Sequence, residues 1–132
     1  MSTYPYSRNS PLALLAAART TLAEAAATGD PGERFRLAHL AALRTAAALC
    51  AHRASANGRP ARRKLMSVWV LLQRVAPEHA DWAMYFAAGA PLRAAVEAGA
   101  ISAVTARVAD DQVRAAREFL AMVEDSLGLL AA

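Results

Sequence analysis

The sequence predicts an all-α protein: an antiparallel bundle of four long helices plus one short helix. Three observations carry this. Ala, the strongest helix former, supplies 36 of the 132 residues. Residues that favour strands are sparse, with aromatics at only 6%. Pro and Gly fall where helices start and stop. A chain of this length folds as one domain and buries roughly two-thirds of the surface its unfolded form exposes. Residues 1–10 read as a flexible N-terminal arm and residues 11–132 as a single helical-bundle domain.

The elements follow in order. Ser10-Pro11 places a capping side chain before Pro at the first helical position, so helix 1 runs from Pro11 to about Thr28 and stops at Gly29. Asp30-Pro31-Gly32-Glu33 restarts the chain as a capping box, and helix 2 continues to about Ala54. Gly58 and Pro60 mark a linker, after which helix 3 is expected over about 61–75. Its segment Leu65–Leu72 is apolar on nearly every side and should be buried all round. Pro77 starts helix 4, with Trp82, Tyr85 and Phe86 at helical spacing on one face. Gly89-Ala90-Pro91 should break or kink it, leaving Leu92–Ala98 as the short helix. Helix 5 runs from near Thr105 to about Leu127, with Val108, Gln112, Ala116, Phe119, Val123 and Leu127 as its stripe. Ion pairs are expected along it at Arg107–Asp111, Asp110–Arg114 and Arg114–Glu118.

Charge and cysteine content exclude several classes. One cysteine, Cys50, leaves no internal disulfide framework and no Cys-rich zinc site. The longest uncharged apolar run, Trp82–Leu92, is 11 residues, well short of the ~20 a spanning helix needs, so a cytoplasmic protein without membrane contact is expected. Net charge is +4, divided between +7 over residues 1–66 and −3 over residues 67–132. That asymmetry marks either an anion-binding half or two halves that neutralise one another.

Candidate chemistry is thin. His39, His52 and His79 show no metal-ligand spacing, and no nucleophile elbow or Gly-rich phosphate loop is present; no metal and no cofactor is implied. On helix 2, Arg36 and His39 fall on the face of Leu40, Leu43, Ala47 and Cys50. On helix 1, Arg19 falls inside the stripe of Leu12, Leu15, Ala16, Leu22 and Ala26. Inward cations need partners. One reading gathers Arg19, Arg36 and His39 into a pocket where arginine holds a phosphate and histidine moves a proton. The other lets Arg36 snorkel past the core edge and makes His39 a core histidine. Arg62, Arg63 and Lys64, in the run Arg59–Lys64, join Arg19 as candidate anion contacts.

The runs Glu33–Arg44, Ser67–Pro77, Trp82–Ala90 and Thr105–Asp111 resemble a small actinobacterial family of the HEPN superfamily, over about residues 11–128. The resemblance implies a helical bundle that often dimerises. It also implies one of two roles, a metal-independent ribonuclease of toxin–antitoxin or defence systems, or a noncatalytic relative. The catalytic signature of such proteins is Arg, four to six residues, then His, with a polar residue after the Arg. Arg34 to His39 and Arg74 to His79 have the spacing, but apolar Phe35 and Val75 follow the arginines. Arg34 and His39 would also lie about 140° apart on an uninterrupted helix, and Pro77 splits the second pair. His39 with Arg36, and more weakly His79 with Arg74, are the candidate catalytic residues.

The leading reading is a noncatalytic HEPN-like module that forms a homodimer and binds a protein or an RNA- or nucleotide-type ligand. A metal-independent HEPN ribonuclease is the alternative, and whether the chain is an enzyme stays open in the sequence. A helical carrier of an apolar small molecule is a third reading, conditional on a lined cavity.

Overall fold

A computed structural model describes residues 10–56 and 66–128. Within them the chain forms five α-helices: α1 (Pro11–Ala27), α2 (Pro31–Ala56), α3 (Val68–Val75), α4 (Ala80–Glu97) and α5 (Ala106–Ser126). Short 3-10 turns, Pro77–His79 and Ile101–Ala103, lead into α4 and α5, and no strand occurs among the described residues. No helix among them is long and apolar enough to cross a membrane.

The helix starts obey the chemistry of their first residues. Ser10 Oγ accepts from the Ala13 amide at 3.2 Å and Ser67 Oγ from the Val70 amide at 3.2 Å. Thr105 Oγ1 accepts from the Val108 amide at 3.1 Å, and Asp30 Oδ2 from the Glu33 amide at 2.9 Å. Each satisfies a donor that the first turn leaves without a partner, an effect of about 1 kcal/mol. Glu33 does not close the expected capping box; its carboxylate turns to Arg36 instead. Gly99, at φ 101°, takes the left-handed conformation that ends α4.

Helix α2 is the centre. It packs against all four other helices, most extensively α1 and α5. It is therefore buried on most of its circumference: Phe35, Ala38, His39, Ala41, Ala42, Thr45, Ala46, Ala48 and Leu49 are each nearly or wholly inaccessible. The single face expected from periodicity is replaced by burial on several sides, with Leu40 and Leu43 only partly covered. Small side chains make this possible, because five of those nine residues are Ala and let neighbouring backbones approach closely.

Three other expectations change. Residues 61–65 lie outside the described residues, but Met66 and Ser67 are non-helical, so α3 starts at Val68 and is the short helix. It is amphipathic, with Trp69 and Leu72 buried and Val70 44% exposed, because Ser67 caps it and only one side meets α2 and α4. Helix α4 passes through Gly89-Ala90-Pro91 without a break. Pro91 is exposed to solvent, and the long helix tolerates one missing donor. On α5, Val108 is exposed while Ala109, Val113 and Leu120 join Gln112, Ala116, Phe119 and Val123 inside. The three expected ion pairs along α5 do not form: Arg114 bonds Asp111 instead, at 3.0 Å, and Asp110 is taken by Arg34 from α2.

Candidate functional site

The arginine and histidine candidates are held apart. Arg36 forms a two-pronged bond to Glu33 one turn away, at 2.9 and 2.6 Å. That bond draws the Glu33 carboxyl below its ordinary range and raises Arg36. His39, three residues on, is wholly buried. Its Nε2 lies 2.8 Å from the Phe86 carbonyl oxygen, which can only accept, so Nε2 carries the proton and donates. Rings of Phe35, Trp69 and Phe86 surround the imidazole at centroid distances of 6.0, 5.9 and 6.4 Å. Burial pushes its pKa down, against the opposing pull of the Phe86 carbonyl, so the neutral ring is the resident form.

The other candidates are equally separated. Arg19 is exposed and pairs with Glu124 of α5, which is buried at 7% exposure. The buried stripe of α1 is Leu15, Ala18, Thr21, Leu22 and Ala25, whereas Leu12, Ala16 and Ala26 face solvent. An Ala-rich helix has little amphipathic contrast, and its inner face lies about a quarter of a turn from the stripe that periodicity predicts. Thus Arg19, Arg36 and His39 do not converge. Arg74 is exposed on the last turn of α3, while His79 is buried beside Glu78, 3.8 Å away. Arg62, Arg63 and Lys64 lie outside the described residues.

Two arginines that sequence reasoning gave no structural part have clear ones. Arg34 donates to the carbonyls of Thr28 (2.9 Å) and Gly29 (3.2 Å) and to Asp110 (2.6 Å), fastening the α1–α2 turn to α5. Arg53 donates to the Val75 carbonyl at 2.8 Å and to Glu78 at 2.5 Å, closing the end of α3 onto the turn before α4. These bonds hold Glu78 below its ordinary pKa, Arg53 being the largest influence. Both guanidiniums act as loop fasteners, which their position in sequence gave no means of seeing.

A groove with room for a ligand lies elsewhere. Between α4 and α5 runs an open groove of about 550 Å³, lined by Asp81, Trp82, Tyr85, Asp111, Arg114, Ala115 and Glu118. Trp82 stacks on Phe86 at 5.7 Å and leans on Phe119 at 5.5 Å, so its inner face belongs to the core. Tyr85 stands nearly perpendicular to it, at 88° and 6.5 Å, and its hydroxyl accepts from Gln112 Nε2 at 3.3 Å. Burial and the neighbouring Asp111 both raise the Tyr85 pKa. A partial signal existed in the sequence, since Asp111, Arg114, Ala115 and Glu118 share one helical face. Their juxtaposition with Trp82 and Tyr85 did not. Among the described residues no group of three His, Cys, Asp or Glu side chains is placed to hold a metal ion.

Comparison with known proteins gives one positive result: a family model described as HEPN_SAV_6107-like HEPN matches residues 25–124. No curated protein and no solved structure gives a significant match.

Proposed function

The chain belongs to the HEPN_SAV_6107-like HEPN family, and on that premise we propose that it is a noncatalytic HEPN-like module, an antiparallel bundle that dimerises and binds a protein partner. The observation that carries this reading is the dispersal of both Arg–His spacings. A ribonuclease of this kind needs an arginine to hold the scissile phosphate and a histidine within hydrogen-bond reach of the proton it moves. Arg34 is committed to two loop carbonyls and Asp110. Arg36 is committed to Glu33. His39 has no exposed surface, and Arg74 is exposed where His79 is buried. The hydrogen bond of His39 goes to the Phe86 carbonyl and the close partner of His79 is Glu78, so neither histidine is paired with a candidate arginine.

Dimerisation has support of its own on α4. Between Asp81 and Glu97, Met84, Ala88, Pro91 and Ala94 form an exposed stripe of α4 with no charged residue, while Tyr85 turns to the groove beside α5. A solvent-facing helix surface usually carries charge, and an uncharged one suits a symmetric helix-to-helix seam. Light scattering should give a mass near twice 13.9 kDa, and a monomer at tens of micromolar would refute the seam. An RNA- or nucleotide-type ligand is a second reading, favoured by the basic run Arg62-Arg63-Lys64. Incubation with labelled RNA in chelator tests the main reading. No cleavage above that of a His39→Ala/His79→Ala preparation is expected; cleavage lost on either single substitution would establish the enzyme.

A further inference from the structure

We propose that the groove between α4 and α5 is a docking site for an arginine-bearing segment of a partner protein. This rests on the module reading and names the chemistry of the partner. The first argument is charge. Three carboxylates, Asp81 on one bank and Asp111 and Glu118 on the other, face a single guanidinium, Arg114, which already pairs with Asp111 at 3.0 Å. The groove therefore carries a local excess of two negative charges in a chain whose net charge is +4. Anionic ligands, RNA included, are repelled there, while a cation is drawn to it.

The second argument is the shape and nature of the walls. Trp82 and Tyr85 meet at 88°, giving an aromatic corner between the acidic banks. Cations bind ring faces, and the planar guanidinium does so while its edge forks a carboxylate. The corner is also set in advance of binding. Trp82 is wedged on Phe86 and Phe119, and Tyr85 is pinned by its bond from buried Gln112 and by edge contact with Phe86 at 5.1 Å. Rigid aromatic walls lose little entropy when a partner arrives. A volume of about 550 Å³ admits a short run of side chains, not merely one ion. Arg114 bonded to Asp111 shows the same pairing within the groove itself, one guanidinium against one of its carboxylates.

The test uses the full chain and a fluorescein-labelled hexa-arginine peptide, followed by fluorescence anisotropy at low salt. Saturable binding is expected, weakened at least about fivefold by the pair Asp111→Asn/Glu118→Gln. The pair Glu24→Gln/Asp125→Asn removes the same charge from exposed positions outside the groove and should leave binding nearly unchanged. Tyr85→Ala should also weaken it, and thermal unfolding by circular dichroism checks that each variant is folded. Equal weakening by both pairs of substitutions, equal binding of hexa-lysine, or an absence of saturation would overturn the docking site. Each of those outcomes leaves the RNA-cleavage result, and the module reading with it, standing; RNA cleavage sinks that reading whatever the peptide does.

Discussion

Gly89→Ala sets two effects of similar size against each other, and the geometry decides between them. Gly89 lies inside α4, where an Ala would gain about 1 kcal/mol in helix propensity. The added Cβ, however, would stand 3.3 Å from His39 Cδ2, 3.3 Å from Phe35 Cζ and 3.5 Å from Gln112 Oε1. Two of these are tighter than normal packing, so the neighbours would have to move by a few tenths of an ångström. His39 has little freedom to do so, because it is bonded to the Phe86 carbonyl and enclosed by Trp69 and Phe86. Phe35 is stacked on the imidazole and 2% exposed. Overpacking of such a site costs roughly 1–3 kcal/mol. The net expectation is a loss of about 1 kcal/mol, read as a lowered urea midpoint with unchanged slope. Phe35→Leu in the same background removes Cζ and should recover most of that loss, giving a favourable coupling of about 1 kcal/mol in a double-mutant cycle. A Gly89→Ala protein more stable than the parent would refute the argument, since propensity would then outweigh the close approach of α4 to α2.

Two further predictions concern buried polar groups. His39 titrates below its ordinary 6.5 in the folded chain, so the unfolded chain takes up its proton first as pH falls. Its contribution to stability is thus complete above that value and lost below it, by at most ~1.4 kcal/mol per pH unit, until the folded pKa is reached. Urea unfolding at about pH 7.5 and about pH 5.5 should show this loss in the parent and a smaller one in His39→Gln, which retains a donor for Phe86; equal losses would refute it. Arg19→Ala strips Glu124, 7% exposed, of its guanidinium and should cost about 1 kcal/mol, less than for a fully buried pair because the Arg19 side chain is 52% exposed. An unchanged thermal midpoint would show that solvent already satisfies Glu124.

Helix identity and helix ends were legible in the amino acids. Ser10, Asp30 and Thr105 cap because a short polar side chain in an extended residue reaches the amides of the next turn, a local relation. Ala content secures the helical state for the same local reason. Which side of each helix faces inward was harder to see. In α1 and α2 so many positions are Ala that apolar and polar faces differ little, and Arg19 and Leu12 were placed inward when both are exposed. Pro91 read as a break because sequence registers the missing donor but not the solvent on that side of the helix.

The site divides along the same line. Sequence identified the arginines and histidines as the residues able to do chemistry, since their type alone decides that. Their partners were set by contacts across long separations: Arg34 with Asp110, Arg19 with Glu124, His39 with Phe86. The acidic aromatic groove is likewise a product of two helices brought side by side, Trp82 and Tyr85 from one and Asp111 and Glu118 from the other. Helical state and caps depend on interactions within a turn, which order along the chain specifies directly. Pairing, burial and the groove depend on how α2 gathers the other helices around it, and only the packed structure decides that.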